Sequence, residues 1–268
     1  MFNWKKDILE QPIETMLLFE EFQLQYMAES ELREDMAVIF KAHPVIEWFV
    51  RHKAPSANAW VDELMNKYAD VPVPTADGLR EVEKSVIGSM EDWVIFATTS
   101  DDYHNQPFNR WDEMELTGLT DFADKTVIDI CSGTGKQAFA IAPLCKTIFC
   151  VEPVYNSRKY LKEKVRTKNY TGKMYVVDGF LEDIPFPDGF VDVTICGDAL
   201  WGMMDRQLAE MMRVTKSGGM VIVCPGSTDS ESESHRFLVG NGFAWSRFLA
   251  PGDVIGSGWK RKYWKTKL

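Results

Sequence analysis

No stretch of the 268-residue chain approaches the roughly 18 uncharged apolar residues that a membrane span needs, and Met1-Phe-Asn-Trp-Lys-Lys lacks the apolar stretch of a signal peptide. The sequence therefore predicts a cytoplasmic protein with no membrane partner. Metal-ligand spacing is missing too. The five cysteines, Cys131, Cys145, Cys150, Cys196 and Cys224, form no CxxC pair and mostly lie in or beside apolar strand-like runs, where a free thiol behaves as a small buried hydrophobe. Neither a metal site nor a disulfide framework is expected. Positive charge is not in excess: the formal net charge of −10 repels a polyphosphate backbone, which argues against a general nucleic-acid binder. The acidity lies almost wholly before about residue 122, and the remainder is near neutral or slightly basic. Two differently built parts are implied, and with 45% apolar and 12% aromatic residues there is enough material for a full core.

Residues 8 to 52 carry apolar positions at helical spacing, such as Leu32, Met36, Ile39 and Phe40, then Ile46, Phe49 and Val50, with Pro44 placed where a new helix starts. After a break at Ala54 to Asn58, the residues Trp60, Val61, Leu64, Met65 and Tyr68 give one more amphipathic face, and Asp70 to Gly78 is a Pro/Gly linker. From Leu79 through Val82, Val86, Met90, Trp93 and Val94 to Ala97 the period predicts a single helix of roughly 18 to 20 residues. Residues 1–100 are thus expected to form a helical lid or interaction domain, with residues 101–268 as a second domain. Tyr103 to Leu116, dense in aromatic and polar groups, reads either as a capped helix with Phe108 and Trp111 in the core, or as a lid over a ligand.

The second part is organised around an apolar strand (Thr126 to Ile130) that meets a Gly133-Thr134-Gly135 turn and continues into helix-favouring residues with Phe139, Ile141 and Ala142 available for packing. Turn glycines let the backbone approach a ligand closely. By spacing alone, Gly133, Gly135 and Ala138 followed by Glu152 also fit a dinucleotide fingerprint, so nicotinamide and S-adenosylmethionine both stay open at this point. Further strands follow at Lys146 to Glu152, Lys173 to Asp178, Phe190 to Asp198 and Lys216 to Cys224, with helix-compatible segments between them. This alternation predicts an α/β fold with a mostly parallel sheet covered on both faces. Asp129, Glu152, Asp178, Gly197 and Asp198 fall late in or at the ends of strands, on the side where such sheets bind ligands. Asn241 to Phe248 and Gly258 to Lys265 read as a closing antiparallel pair, with the basic tail Lys260, Arg261, Lys262, Lys265 and Lys267 on an edge strand, where lysines block unwanted pairing.

On these residues the chain resembles the class I S-adenosylmethionine-dependent methyltransferases, and within them the small-molecule group related to ubiquinone/menaquinone biosynthesis. The resemblance covers roughly residues 105 to 265. The family's hydrophobic-Asp-hydrophobic-Gly-Cys-Gly-Thr-Gly stretch corresponds to Ile128-Asp129-Ile130-Cys131-Ser132-Gly133-Thr134-Gly135, its ribose-binding acid to Glu152, and the next adenine-packing residue to Pro153. Its Gly-Asp-Ala-Glu-x-Leu-Pro-Phe stretch aligns with Val177 to Phe186, placing the adenine contacts on Asp178, Gly179 and Phe180; Arg213 to Gly219 matches its Arg-Val-Leu-Lys-Pro-Gly-Gly. The resemblance implies a Rossmann-like methyltransferase sheet, mostly parallel with the last strand antiparallel, behind an N-terminal all-helical extension. It implies S-adenosylmethionine as cofactor, with Asp129 and the Gly197 carbonyl holding the ammonium and Cys131, Ser132, Gly133, Thr134 and Gly135 surrounding the methionine end. Cys131 stands in place of the first glycine, and Gly197-Asp198-Ala199-Leu200-Trp201 stands where the quinone enzymes often carry a histidine pair.

The expected reaction is methyl transfer by in-line displacement to a small-molecule acceptor, with Phe108, Trp111 and Trp201 as acceptor wall. A base is needed only for a hydroxyl or acidic carbon acceptor, and Tyr103, His104 and Asp198 are the candidates. Two rivals are a nicotinamide oxidoreductase and a catalytically silent adenosylmethionine-fold interaction protein. Phe19, Phe22, Phe40, Trp48, Phe49 and Trp60 give the acidic block more apolar surface than a freely solvated appendage keeps, which places it in the substrate cavity or in a homodimer contact. Deleting residues 1 to 97 is therefore expected to leave an insoluble or inactive protein; a soluble, fully active truncation would count against this.

Overall fold

Amphipathic helices need partners for their apolar stripes, and both parts of the chain supply them in different ways. The computed structural model describes residues 4–28, 33–197, 199–200, 202–226, 229–251 and 258–268. The chain divides into two compact units, Met1–Asp102 and Tyr103–Leu268. The first contains the helices α1 (Trp4–Leu9), α2 (Glu21–Met27), α3 (Arg33–Ala42), α4 (Pro44–Lys53), α5 (Asn58–Lys67), α6 (Ala76–Ser89) and α7 (Glu91–Thr98) with a 3-10 turn at Ile13–Leu18, and α8 (Ser100–His104) crosses into the second unit. Its core includes Met16, Phe19, Leu24, Ile39, Phe40 and Leu64, all buried. Phe40 meets Trp60 edge to face at 5.8 Å. Lys41 Nζ donates to the carbonyls of Ala69 at 3.0 Å and Val71 at 2.8 Å and to that of Tyr68, tying down the end of α5.

The single helix expected from Leu79 to Ala97 is two helices, because Met90 between α6 and α7 leaves the helical region at φ −114° and ψ 24°. The Ser89 hydroxyl donates back to the Val86 carbonyl at 2.7 Å, and the weak helix formers Gly88 and Ser89 make the break cheap there. Among the described residues, no helix is long and apolar enough to cross a membrane.

The second unit is a seven-stranded sheet of order β3-β2-β1-β4-β5-β7-β6. Its strands are β1 (Thr126–Ile130), β2 (Thr147–Val151), β3 (Met174–Val177), β4 (Val191–Cys196), β5 (Thr215–Val223), β6 (Ala244–Leu249) and β7 (Trp259–Thr266). The first five pair in parallel, and β7 is antiparallel to both β5 and β6. Helices α9 (Met114–Thr117), α10 (Lys136–Ile141), α11 (Tyr155–Thr167), α12 (Met204–Val214) and α13 (Glu233–Gly240) complete it. Val127, Ala138, Ile141, Ile148, Leu161 and Val165 share one core, while Ile128, Ile130, Leu208, Met211, Val214 and Leu238 share the other. The strand period of two sends alternate residues of β1 to opposite faces, so both sides of this central strand are covered.

The basic tail strand is not at an edge. β7 lies between β5 and β6, and the outer strands are β3 and β6. Arg261 is only 6% exposed, its charge met by Asp229 at 2.7 Å and Glu231 at 3.1 Å. Lys262 Nζ reaches a Glu115 carboxylate oxygen at 2.6 Å. Each cation thus has a partner on another segment, and the alternation serves an interior strand.

Gly135 cannot carry a side chain without rearrangement. Its φ is +83°, and an added Cβ would stand 2.6 Å from Leu161 Cδ1 and 3.1 Å from Phe139 Cδ2. Gly135→Ala is expected to cost about 1 to 3 kcal/mol, since it combines left-handed strain with an overpacked contact on α11. Thermal unfolding measures this; an unchanged midpoint would mean the turn adopts another shape.

Candidate functional site

β1 ends in a turn that alternates left-handed residues: Cys131 at φ 54°, Gly133 at 53° and Gly135 at 83°. A non-glycine residue in that region costs of order 1 kcal/mol, so Cys131 must be held by its surroundings. The Ser132 N–H donates to the Val151 carbonyl at 3.2 Å, and the Gly135 N–H to the Ser132 carbonyl at 2.7 Å. The Cys196 thiol beside it, and then burial, hold the Cys131 thiol well above the usual thiol range, so Cys131 is a packing group rather than a nucleophile.

Glu152, directly after β2, is 4% exposed. Its carboxylate accepts the Gly133 N–H at 2.7 Å and the Val154 N–H at 2.9 Å, which leaves lone pairs for further donors. Burial pushes its carboxyl up to about 7, against the pull of the Val154 and Gly133 amides and of Arg158. Asp129, inside β1, is 0% exposed, and neither carboxylate oxygen has a hydrogen-bond partner. The Ser132 hydroxyl nearby donates instead to the Asp129 backbone carbonyl at 2.7 Å. Burial pushes the Asp129 carboxyl up to about 8; Ser132 and the Ala138 amide restrain the shift, and the Glu152 charge adds to it. Two acids meet where the turn leaves the sheet, and such a site favours a cation and hydroxyl donors over an anion.

Arg158, on the first turn of α11, was not singled out by sequence. Its Nη1 donates to the carbonyls of Glu152 at 2.9 Å and Pro153 at 2.6 Å and to Asp178 Oδ1 at 2.8 Å. It joins the ends of β2 and β3 and places Asp178, whose side chain is 68% exposed, beside Pro153. The only available signal was the basic character of Ser157 to Lys168, which does not distinguish one cation from the next. Gly179 allows close packing, since an added Cβ would stand 2.6 Å from Pro185 and 2.9 Å from Val151. Phe180 is partly exposed next to it. The Gly197 carbonyl accepts the Ala199 N–H at 2.8 Å, and a Cβ at Gly197 would stand 2.8 Å from Gln137 Nε2.

Tyr103 lies over the turn, its ring carbon Cε1 3.4 Å from where a Gly133 Cβ would be, and its ring meets Phe108 at 5.6 Å. His104 Nδ1 is 3.0 Å from Thr134 Oγ1. Trp111, expected on the acceptor wall, is 5% exposed and belongs to the core: it meets Phe248 at 6.2 Å, with Lys136 over its ring. Asp198 and Trp201 lie outside the described residues. Among the described residues, no group of three or more His, Cys, Asp or Glu side chains is placed to hold a metal ion.

Residues 128–223 match the family model of a methyltransferase domain. Over 144 residues the chain is 28% identical to a demethylmenaquinone methyltransferase of Bacillus licheniformis, covering 52% of this chain and 60% of that protein. Over 107 residues it is 30% identical to a ubiquinone/menaquinone biosynthesis C-methyltransferase of a Geobacter species, covering 38% and 46%. The chain thus spans about half the length of these relatives. Of solved structures, a putative S-adenosyl-L-methionine-dependent methyltransferase from Methanococcus maripaludis is similar with a TM-score of 0.48 at 17% identity, covering 67% of this chain and 92% of that one.

Both buried acids have folded values above their unfolded ones, 3.8 for Asp129 and 4.5 for Glu152, so their ionisation opposes folding. The sign follows: the penalty is absent below about pH 4, grows as pH rises, and is complete above about pH 8. Asp129→Asn should raise the melting temperature of the protein alone at pH 8 by roughly 3 to 6 °C and flatten its decline between pH 5 and 8. An unaltered pH slope would show that Asp129 does not carry the shift.

Proposed function

We propose that this chain, which carries a class I S-adenosylmethionine-dependent methyltransferase domain similar to those of quinone biosynthesis, transfers the methyl group to a small-molecule acceptor by in-line displacement. The observation that carries this reading is the pair of buried acids at the glycine turn, with the Asp129 carboxylate oxygens lacking a hydrogen-bond partner among the described residues. A buried carboxylate of that kind suits an ammonium, and the lone pairs left on Glu152 suit a ribose diol. The residues fit the cofactor in kind: Asp129 with the second lone pair of the Gly197 carbonyl for the ammonium, Glu152 for the ribose, and Asp178 for the adenine amino group. Pro153, Gly179 and Phe180 would flank the adenine, and the turn from Cys131 through Ser132, Gly133 and Thr134 to Gly135 would line the methionine end.

When bound, the cofactor supplies a sulfonium-activated methyl group. The chain's own part is to orient the acceptor and exclude water, which can supply several kcal/mol of the barrier. Tyr103, over Gly133, and Phe108 beside it are the aromatic surfaces for the acceptor. For a hydroxyl or acidic carbon acceptor, the Tyr103 phenol is the base this reading favours, with Asp198 as the alternative. The relatives' names make an aromatic ring carbon of a quinol the first acceptor to assay, and the same aromatic faces would also hold a cationic amine. A nicotinamide dinucleotide is disfavoured, because the buried Asp129 beside the turn opposes its pyrophosphate, whereas Glu152 suits the ribose of either cofactor.

Adenosylhomocysteine is expected to bind the full chain in calorimetry while NADH does not. Glu152→Ala should weaken that binding by about 1.5 to 3 kcal/mol, roughly 10- to 150-fold. Methyl transfer from labelled S-adenosylmethionine to a panel of demethylated quinols, phenols and amines then identifies the acceptor. Unchanged affinity in Glu152→Ala would remove the ribose assignment. A chain that keeps its fold but does not bind adenosylhomocysteine tightly would favour the silent interaction protein.

A further inference from the structure

In the methyltransferase reading the adenine lies beside Asp178, Gly179 and Phe180, yet the segment that carries them has almost no regular structure. Between the end of β3 at Val177 and the start of β4 at Val191 there is one isolated bridge, from Phe180 to Asp183. Side chains of α12 take up its backbone groups instead. Arg213 Nη2 donates to the Ile184 carbonyl at 2.9 Å, and Nη1 to the Phe186 carbonyl at 2.8 Å. Glu210 Oε2 accepts the Ile184 N–H at 2.9 Å, and the same carboxylate accepts Arg213 Nε at 2.6 Å and Nη2 at 2.7 Å. Arg213 thereby holds the Glu210 carboxyl below the usual carboxylate range. Nearer the start of α12, Arg206 Nε donates to the Glu182 carbonyl at 3.1 Å and Gln207 Nε2 to the Glu182 carboxylate at 2.6 Å.

The two carbonyls that Arg213 grips flank a single residue, Pro185. Its ring lies on Gly179: a Cβ added there would stand 2.6 Å from Pro185 Cδ and 2.9 Å from Cγ. Ile184 on one side is buried, and Phe186 on the other stacks on Phe190 at 4.9 Å with the rings 3° from parallel. A planar guanidinium fork fixes both carbonyls at once, which a flexible ammonium does not reproduce. The grip on either side of Pro185 is therefore passed to Gly179 through direct contact.

We propose that Arg213, oriented by Glu210, is a positioning residue for the adenine: acting through Pro185 on Gly179, it sets the selectivity of the site for adenine over a purine whose hydrogen-bonding edge is reversed. This role rests on the methyltransferase reading of the site. It works by preorganisation, since a segment without ladder hydrogen bonds of its own keeps a ligand-binding shape only when other side chains hold its backbone.

Inosylhomocysteine is the probe, because inosine replaces the adenine amino donor with a carbonyl and puts a proton on the neighbouring ring nitrogen. In calorimetry the unaltered full chain should bind adenosylhomocysteine roughly 10- to 100-fold more tightly than the inosyl analogue. In Arg213→Met that ratio should fall to about threefold or less, and Arg213→Lys should not restore it. Pro185→Ala, at an exposed position that leaves α12 intact, should lower the ratio in the same direction. Adding it to Arg213→Met should change the ratio by no more than about twofold, because both act along one path. Amide hydrogen exchange on the protein alone gives a readout without ligand: Ile184 should exchange at least about tenfold faster in Arg213→Met, while the amides of β1 keep their rates. A ratio retained in Arg213→Met or Pro185→Ala, with both affinities falling together, would overturn the proposal, and so would unchanged exchange at Ile184. If Arg213→Met misfolds, Pro185→Ala still decides. Failure of the methyltransferase reading would look different: the unaltered protein would bind neither compound, while the exchange contrast at Ile184 would persist.

Discussion

The bond from the Gly133 amide to the Glu152 carboxylate, 2.7 Å long, is the contact on which the site depends. Each partner is costly without the other. The turn spends conformational energy on left-handed residues, one of them Cys131, and a charge-assisted bond from its backbone recovers part of that. The carboxylate, in turn, is almost wholly removed from water, and the backbone amides of Gly133 and Val154 and the charge of Arg158 offset that burial. Because Glu152 directly follows β2 and Gly133 lies three residues after β1, the bond also fixes the register at which those parallel strands open into the crevice. Arg158 extends the same tie to β3 through Asp178.

Among the described residues, acids outnumber cations at this point. Arg158 spends its Nη1 on two carbonyls and the outer acid, and Lys164 faces an imidazole and a carbonyl. Asp129 is left with burial and a neighbouring carboxylate, a combination that works against folding. Strain of this kind is typical of sites whose electrostatics serve a ligand rather than the fold.

Much of this was legible in the sequence. Apolar runs with period two, separated by glycine turns and helical faces, are enough for the parallel α/β sheet, and the acids Glu152 and Asp178 close their strands as the pattern demands. Asp129 stands out by chemistry, a charged residue inside an otherwise apolar run. What could not be read depends on rotation and order in space. Arg158 and Lys164 look like their neighbours until the angle of α11 on the sheet decides which cations reach back to the strand ends. The break at Met90 is invisible because the apolar period runs straight through it, while the cause is a serine hydroxyl returning to its own helix. Strand order leaves no trace in a hydrophobic pattern, so the charges of β7 resembled an exposed edge until Asp229, Glu231 and Glu115 supplied their partners. Trp111 had two physically sound readings, and packing against Phe248 selects the core.

The place of β7 also bears on how the sheet is assembled as the chain is synthesised. β6 leaves the ribosome before β7, yet the two lie in the opposite order in the sheet, with β7 filling the space beside β5. Until β7 arrives, β5 exposes an unpaired edge and β6 has nothing to join, so the nascent domain passes through a stage in which a ready-made strand template faces solvent. Closure of that edge joins segments far apart in sequence, a late and slow class of contact. The window for misassociation between chains is therefore concentrated in the interval between translation of Leu249 and the docking of Trp259 to Thr266.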